Sequence, residues 1–164
     1  MVEAISTFLS DTLGKELCVF ICSMIPIIEL RGAIPLGTGL GLGIVETYVL
    51  SVIGNILPVP IILLFVKVVL DFMKKIKGLC KIANWVEAKA EKHKGKIEKY
   101  AYVGLFIFVA IPLPGTGAWT GSLIAALMKM KFWKSLLFVF LGVLAAGILM
   151  TAGSWAVKFI IQLF

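Results

Sequence analysis

Residues 25–43 read IPIIELRGAIPLGTGLGLG, and residues 111–121 read IPLPGTGAWTG. Both stretches set Pro and Gly inside runs that are otherwise apolar. The first also carries a glutamate, Glu29, and the only arginine of the chain, Arg31. Pro removes a backbone donor and Gly loosens the backbone, so a helix entering either stretch is expected to break there. Backbone freed in this way cannot face lipid unsatisfied; at membrane depth it is tolerated only inside protein or along a water-filled cavity. The fold therefore turns on whether the flanking runs lie in a membrane.

Composition says that they do. The 164 residues are 60% hydrophobic and only 15% charged, against roughly 45–50% apolar in an ordinary globular protein. Residues 47–73, 102–128 and 132–164 are long and nearly charge-free, and a hydrocarbon core about 30 Å thick needs about 20 apolar residues as helix. An all-α membrane protein follows, with one membrane domain over 1–164. The net charge of +7 does not point to nucleic acid. Fifteen of the sixteen basic residues are Lys, and nine of those fall in residues 74–99. A block of that kind marks the cytoplasmic side of a multi-pass protein of the cell membrane.

Working outward from the first break, residues 17–28 form a twelve-residue apolar run interrupted only by Ser23 and Pro26. As a helix it reaches about 18 Å, roughly half a bilayer. Residues 17–43 are thus predicted to enter the membrane, break after Glu29-Leu30-Arg31-Gly32 and return to the same side. Residues 47–73 form the first full span, with a kink expected around Gly54, Asn55, Pro58 and Pro60. Residues 2–13 carry Ile5, Phe8, Leu9 and Leu13 at helical spacing and suit a surface helix. The N-terminus lacks a basic segment followed by a cleavage site, so no removable signal peptide is expected. In 74–99, Ile76, Leu79, Ala83, Val86 and Ala90 keep helical spacing; this linker is an amphipathic helix on anionic headgroups or a solvated charged segment.

Residues 102–128 repeat the broken pattern, and 136–164 form the second span. If 102–128 crossed fully, Lys129, Lys131 and Lys134 would lie opposite the main Lys block; as a hairpin, it keeps both clusters cytoplasmic. Units 1–73 and 100–164 then form an inverted repeat of two re-entrant helical hairpins, each followed by a transmembrane helix. Ile25-Pro26 and Ile111-Pro112 open the matching breaks. Gly54 follows Pro26 by 28 residues, and Gly142 follows Pro112 by 30. Paired Gly/Pro-interrupted segments in such repeats point to the binding site.

Glu29 and Arg31 stand at spacing i, i+2, which does not stack them on one helix face, so a hairpin tip or unwound turn suits them. Two roles are open for the pair. In one, they satisfy loose backbone ends at the tip; in the other, Arg31 holds an anionic group bidentately and Glu29 exchanges a proton. Glu46 offers a second protonatable carboxylate or an interfacial charge. Asn55 reads first as a helix–helix hydrogen-bonding residue, with ligand contact the alternative. In the second break Pro112 and Pro114 remove donors, Gly115, Gly117 and Gly121 permit tight backbone, and Thr116 and Thr120 offer hydroxyls. Backbone amides there suit an anion at the start of the following half-helix. Trp119 is a pocket wall or an interfacial anchor. Lys67 and Asp71 read as a snorkelling pair. Cys18, Cys22 and Cys80 have no metal-ligand spacing and read as core, and His93 lies among lysines. No metal site, cofactor or catalytic triad is expected, so the chain is not read as an enzyme.

On IELRGAIPLG and IPLPGTGAWTG, the chain resembles the small multidrug export family, a branch related to the DedA/VTT-type membrane proteins. The resemblance covers nearly the whole chain and implies a compact transporter whose re-entrant hairpins meet at the midplane. The motif-bearing positions are Glu29, Arg31 and Pro35, with Pro112, Pro114, Gly115, Thr116, Gly117, Trp119 and Gly121. Relatives are linked to proton-motive-force-dependent movement of polyprenyl phosphate or phospholipids and to tolerance of toxic cations. DedA-like relatives carry an arginine in the second hairpin too; Gly117 and Trp119 occupy that region here, so a two-arginine grip on phosphate is unavailable. The expected function is a proton-coupled secondary transporter of a small amphipathic or lipid-like substrate. A polyprenyl-phosphate or phospholipid flippase and a non-transporting membrane scaffold are the alternatives. Expected partners are membrane lipids, the substrate, protons and a second copy of the chain in a homodimer, with no nucleic acid.

Overall fold

Proline writes the first boundary. Its ring disfavours helical backbone in the preceding residue, and Ile25, before Pro26, takes extended angles (φ −75°, ψ 128°) and ends the first helix. The computed structural model describes residues 14–65, 94–113 and 115–163. Among them the elements in chain order are α1 (Lys15–Met24), α2 (Glu29–Gly39), α3 (Ile44–Ile56), α4 (Lys94–Ala110), α5 (Ala118–Leu127) and α6 (Phe132–Leu163), with no strand. The surface helix expected over 2–13 and most of the Lys-rich linker lie outside the described residues.

The six helices form two units of three. In each, a helix ends at a break, a helix of 10 or 11 residues follows, a tight turn reverses the chain, and a long helix returns. The turns are built alike. After α2 the amide of Leu42 bonds to the carbonyl of Gly37 and that of Gly41 to Thr38, with Gly41 at φ +80°. After α5, Met130 bonds to Ala125 and Lys129 to Ala126, with Lys129 at φ +53°. This pair of bonds closes the last carbonyls of a helix around one left-handed residue. The long helix begins three residues later in both units, at Ile44 and at Phe132.

The first break differs from the sequence expectation. The stretch AIPLG, expected to unwind, is helix: α2 runs from Glu29 through Pro35 to Gly39. The break opens at Ile25-Pro26 as expected but is confined to 25–28, where Ile28 and Glu29 both donate to the Ile25 carbonyl. Pro35 costs α2 one backbone bond, and Gly37 serves contact instead of flexibility. A Cβ there would fall 2.5 Å from the Thr47 methyl of α3. The second break agrees better, spanning residues 111–117, although the AWTG of the motif already belongs to α5.

Within each unit the first helix lies against the long one, α1 on α3 and α4 on α6, and α2 and α3 join the units by packing on α6. Glycine makes both close contacts possible. A Cβ on Gly54 would stand 2.0 Å from Ser23 Oγ and 2.5 Å from the Phe20 carbonyl; on Gly142, 2.7 Å from Val109 Cβ and 3.0 Å from the Phe106 carbonyl. Leu30, Ile34, Val52, Val109, Val139 and Val143 form the centre of the main core, and Cys18, Val19, Cys22 and Ala33 a smaller one.

Two helices are long and apolar enough to cross a membrane: Ile44–Phe65, with mean hydropathy 2.2, and Phe132–Val157, with mean hydropathy 2.4. At about 1.5 Å per residue each reaches past a hydrocarbon core of about 30 Å. The first carries its expected irregularity as a turn at Leu57 and Pro58, where the prolines interrupt the ladder. Val45, Ile61, Leu64, Trp133, Ile148 and Phe159 project outward from them, which in water would be costly and in lipid is not. By contrast α1, α2 and α5, at 10, 11 and 10 residues, are too short to cross.

Gly54→Ala should therefore force α1 from α3 and destabilise by about 1–3 kcal/mol. Gly104→Ala, with nothing within 4 Å of the new methyl, should stabilise by about 0.5–1 kcal/mol. Thermal unfolding in mild detergent checks the pair; equal effects would contradict this packing.

Candidate functional site at the paired helix breaks

A broken helix leaves carbonyls without partners on one side and amides on the other. At the second break these groups are met by two side chains from the first turn of α2. Arg31 reaches the C-terminal side. Its Nη2 donates to the carbonyls of Val109 (3.3 Å) and Ile111 (3.0 Å), and its Nη1 to those of Leu113 and Thr116. The Thr116 hydroxyl adds bonds of 2.9 Å to Ile111 and Leu113. A planar guanidinium with donors in a fixed fork can serve several carbonyls at once, which an ammonium cannot.

Glu29 takes the N-terminal side. Its side chain is only 5% exposed, and Oε1 accepts from the Trp119 amide at 3.3 Å, with the Ala118 amide beside it. The carboxylate rests directly over Gly117, where a Cβ would fall 2.0 Å from Oε2; Gly117 itself has φ +144°. A helix N-terminus offers unpaired amides and the positive end of the peptide dipoles, a natural seat for a carboxylate. Glu29 opens α2 at φ +51°, uncommon for a residue with a side chain. The contact is returned: Trp119 Nε1 donates to the Met24 carbonyl at the end of α1 (3.1 Å). Each break is thus closed by a side chain from the other unit.

Between the breaks lies a cavity of about 440 Å³, bordered by Pro26, Glu29 and Arg31 on one side and Pro112, Gly115, Thr116 and Thr120 on the other, with Met150 of α6 as a wall. That is within the roughly 300–1,000 Å³ typical of small-molecule sites.

Of the residues singled out in the sequence, Glu29, Arg31, Pro112, Gly115, Thr116 and Thr120 meet at this cavity. Gly117 and Trp119 hold the Glu29 carboxylate. The others stand elsewhere. Pro35 is exposed on α2, Glu46 is exposed in the first turn of α3, and Asn55 is buried within α3. Gly121 packs against Val109, where a Cβ would fall 2.6 Å from its methyl. Pro114 lies outside the described residues. Arg31 and Glu29 sit in helix, not at an unwound tip. The four Nη–H donors expected to grip an anion are engaged by backbone carbonyls, as in the alternative where the pair satisfies loose ends; those ends belong to the other unit. Pro26 was expected only as the opening of the first break, and Met150 was not anticipated. Met150 lies in an apolar run that gives no signal.

Compared with known families, residues 29–149 match the one described as "Putative small multi-drug export protein". The chain belongs to that family. No curated protein and no solved structure matches it. The matched stretch of the small multi-drug export family begins at Glu29 and takes in Arg31, the second-break side of the cavity and residues 132–149 of α6, with Pro26 and Met150 just outside it. That description names export, a transporter's role and not a catalyst's.

Arg31→Lys should lower the thermal unfolding temperature by several degrees, because carbonyls left unpaired cost about 1–3 kcal/mol each. A melting temperature in detergent equal to wild type would show that the fourfold cap does not hold the break together.

Proposed function

We propose that the chain is a proton-coupled secondary transporter of the cytoplasmic membrane, moving a small amphipathic or lipid-like substrate through the cavity between two re-entrant hairpins. In this reading α1–α2 and α4–α5 each dip partway into the bilayer and return, and the Lys-rich segment lies on the cytoplasmic side. Short helix lengths support it, as does the need to satisfy broken backbone at depth. The likeness of the two units supports an inverted repeat. Phe20, Ser23 and Pro26 correspond to Phe106, Val109 and Pro112, and Gly54 meets the first two as Gly142 meets theirs. Beyond the breaks Gly41, Ile44 and Thr47 correspond to Lys129, Phe132 and Ser135, in the same turn geometry.

The observation that carries the proposal is the seat of Glu29. A buried carboxylate is held by charge at the start of α5 and also borders the cavity. Protonation removes the charge that the helix terminus attracts and loosens one of the contacts joining the units. Occupancy of the cavity and release of that contact can then be linked, which is what coupling requires. The flippase alternative is less favoured, because a phosphate would have to displace carbonyls from Arg31. A homodimer remains part of the proposal: two spans per chain enclose little on their own.

Glu29→Gln keeps an acceptor for the Trp119 amide but not the charge. It should abolish proton-driven substrate movement in reconstituted liposomes while leaving the melting temperature within a few degrees of wild type. Undiminished transport would remove Glu29 from the mechanism.

A further inference from the structure

The inner face of α3 carries polar side chains that the site does not use. Thr47, Ser51 and Asn55 follow one another at four-residue spacing, and they are 2%, 0% and 0% exposed. Thr47 Oγ1, Ser51 Oγ and both Asn55 amide atoms have no protein partner. Other hydroxyls in the same molecule turn back to their own helix. Thr38 donates to Ile34 at 2.9 Å, Ser122 to Ala118 at 2.6 Å and Ser23 to Phe20 at 2.7 Å. Along α3 they do not. A buried polar group without a partner is costly, and each one calls for an explanation.

Packing does not supply it. The corresponding face of α6 carries Ser135, Val139 and Val143, all fully buried. Ser135 and, farther along, Thr151 are also unpartnered, but apolar side chains separate them. Valine thus fills in one unit the places that Ser51 and Asn55 fill in the other. Helix–helix hydrogen bonding, the first role considered for Asn55, is not made either.

We infer that Thr47, Ser51 and Asn55 hold a file of water molecules along the inner face of α3, and that this file carries protons from the membrane surface toward Glu29. The spacing fits water. Four residues of helix rise about 6 Å, and two hydrogen bonds of about 2.8 Å through one oxygen span nearly the same distance. One water therefore bridges Thr47 to Ser51, and another bridges Ser51 to Asn55. Hydroxyls and the amide both donate and accept, so the file can be ordered in either direction. The two waters do not touch, so a proton crosses from one to the other through the Ser51 hydroxyl, which accepts it on oxygen and releases its own hydrogen onward, with no net change of charge. The ends are fixed by contacts. Thr47 lies against Gly37, two residues before the end of α2, where the exposed Lys15 donates to the Leu40 carbonyl. Asn55 follows Gly54, which touches Ser23 next to the end of α1, whose Met24 carbonyl is held by Trp119.

The role as a proton path rests on the proposed coupling through Glu29; the water file itself does not. The chain has two asparagines, Asn55 and Asn84, so asparagine-selective ¹⁵N labelling gives a readable signal in lipid bilayers. Magnetisation transfer from water to the Asn55 side-chain nitrogen is expected, and its absence would overturn the file. The double variant Ser51→Val, Asn55→Val imports the residues of the second unit. It should melt at or above the wild-type temperature, while proton influx into liposomes under an imposed gradient falls at least tenfold. Ser51→Thr should retain the influx. A double variant that melts lower, or wild-type influx that is absent or unchanged by it, would overturn the path. Loss of substrate movement in Glu29→Gln alongside unchanged influx in the double variant would sink this inference alone; the reverse pattern would sink the transporter mechanism alone.

Discussion

Two helices are interrupted, and the whole arrangement answers to the backbone groups that the interruptions leave without helical partners. Carbonyls of residues 109–116 and amides at the start of α5 have to find partners inside the protein. They find them in Arg31 and Glu29, two residues apart on α2 and 78 to 90 residues away along the chain. Trp119 returns the service at the end of α1. These long-range bonds fix the distance and orientation of the two units, and the cavity between them follows from that placement.

The same contacts explain why charge is tolerated in so apolar a chain. Glutamate and arginine are expensive inside a membrane, but each here meets the end of a helix whose peptide dipoles have the opposite sign. A cap made by an ionisable group is also reversible. The charge joins the units beside a main core that both of them share, in which Leu30, Ile34 and Val52 pack with Val109, Val139 and Val143.

Much of this was legible in the sequence. Apolar runs too long for a soluble fold gave the two crossing helices, and PLPGTG gave the second break. The first break was extended too far because the glycines after Arg31 resemble helix breakers, whereas Gly37 is a point of contact with Thr47 and the chain actually turns before Glu29. Glu29 and Arg31 stood out in the sequence as charges inside an apolar run, Arg31 also as the only arginine. Their partners did not, since backbone carbonyls and amides carry no signature in a sequence. Met150 and the Trp119–Met24 bond were hidden for the same reason: proximity across the units is set by packing, not by residue type.

Arg31 is the only arginine of the chain, so arginine-selective ¹⁵N labelling marks one guanidinium. Dipolar recoupling in lipid bilayers, between that guanidinium and ¹³C-labelled carbonyls of isoleucine and leucine, reads its surroundings directly. Contacts to carbonyl carbons at about 4 Å, a hydrogen bond plus one C=O bond, are predicted, with no coupling to lipid phosphorus. A guanidinium coupled to ³¹P and not to those carbonyls would contradict the account.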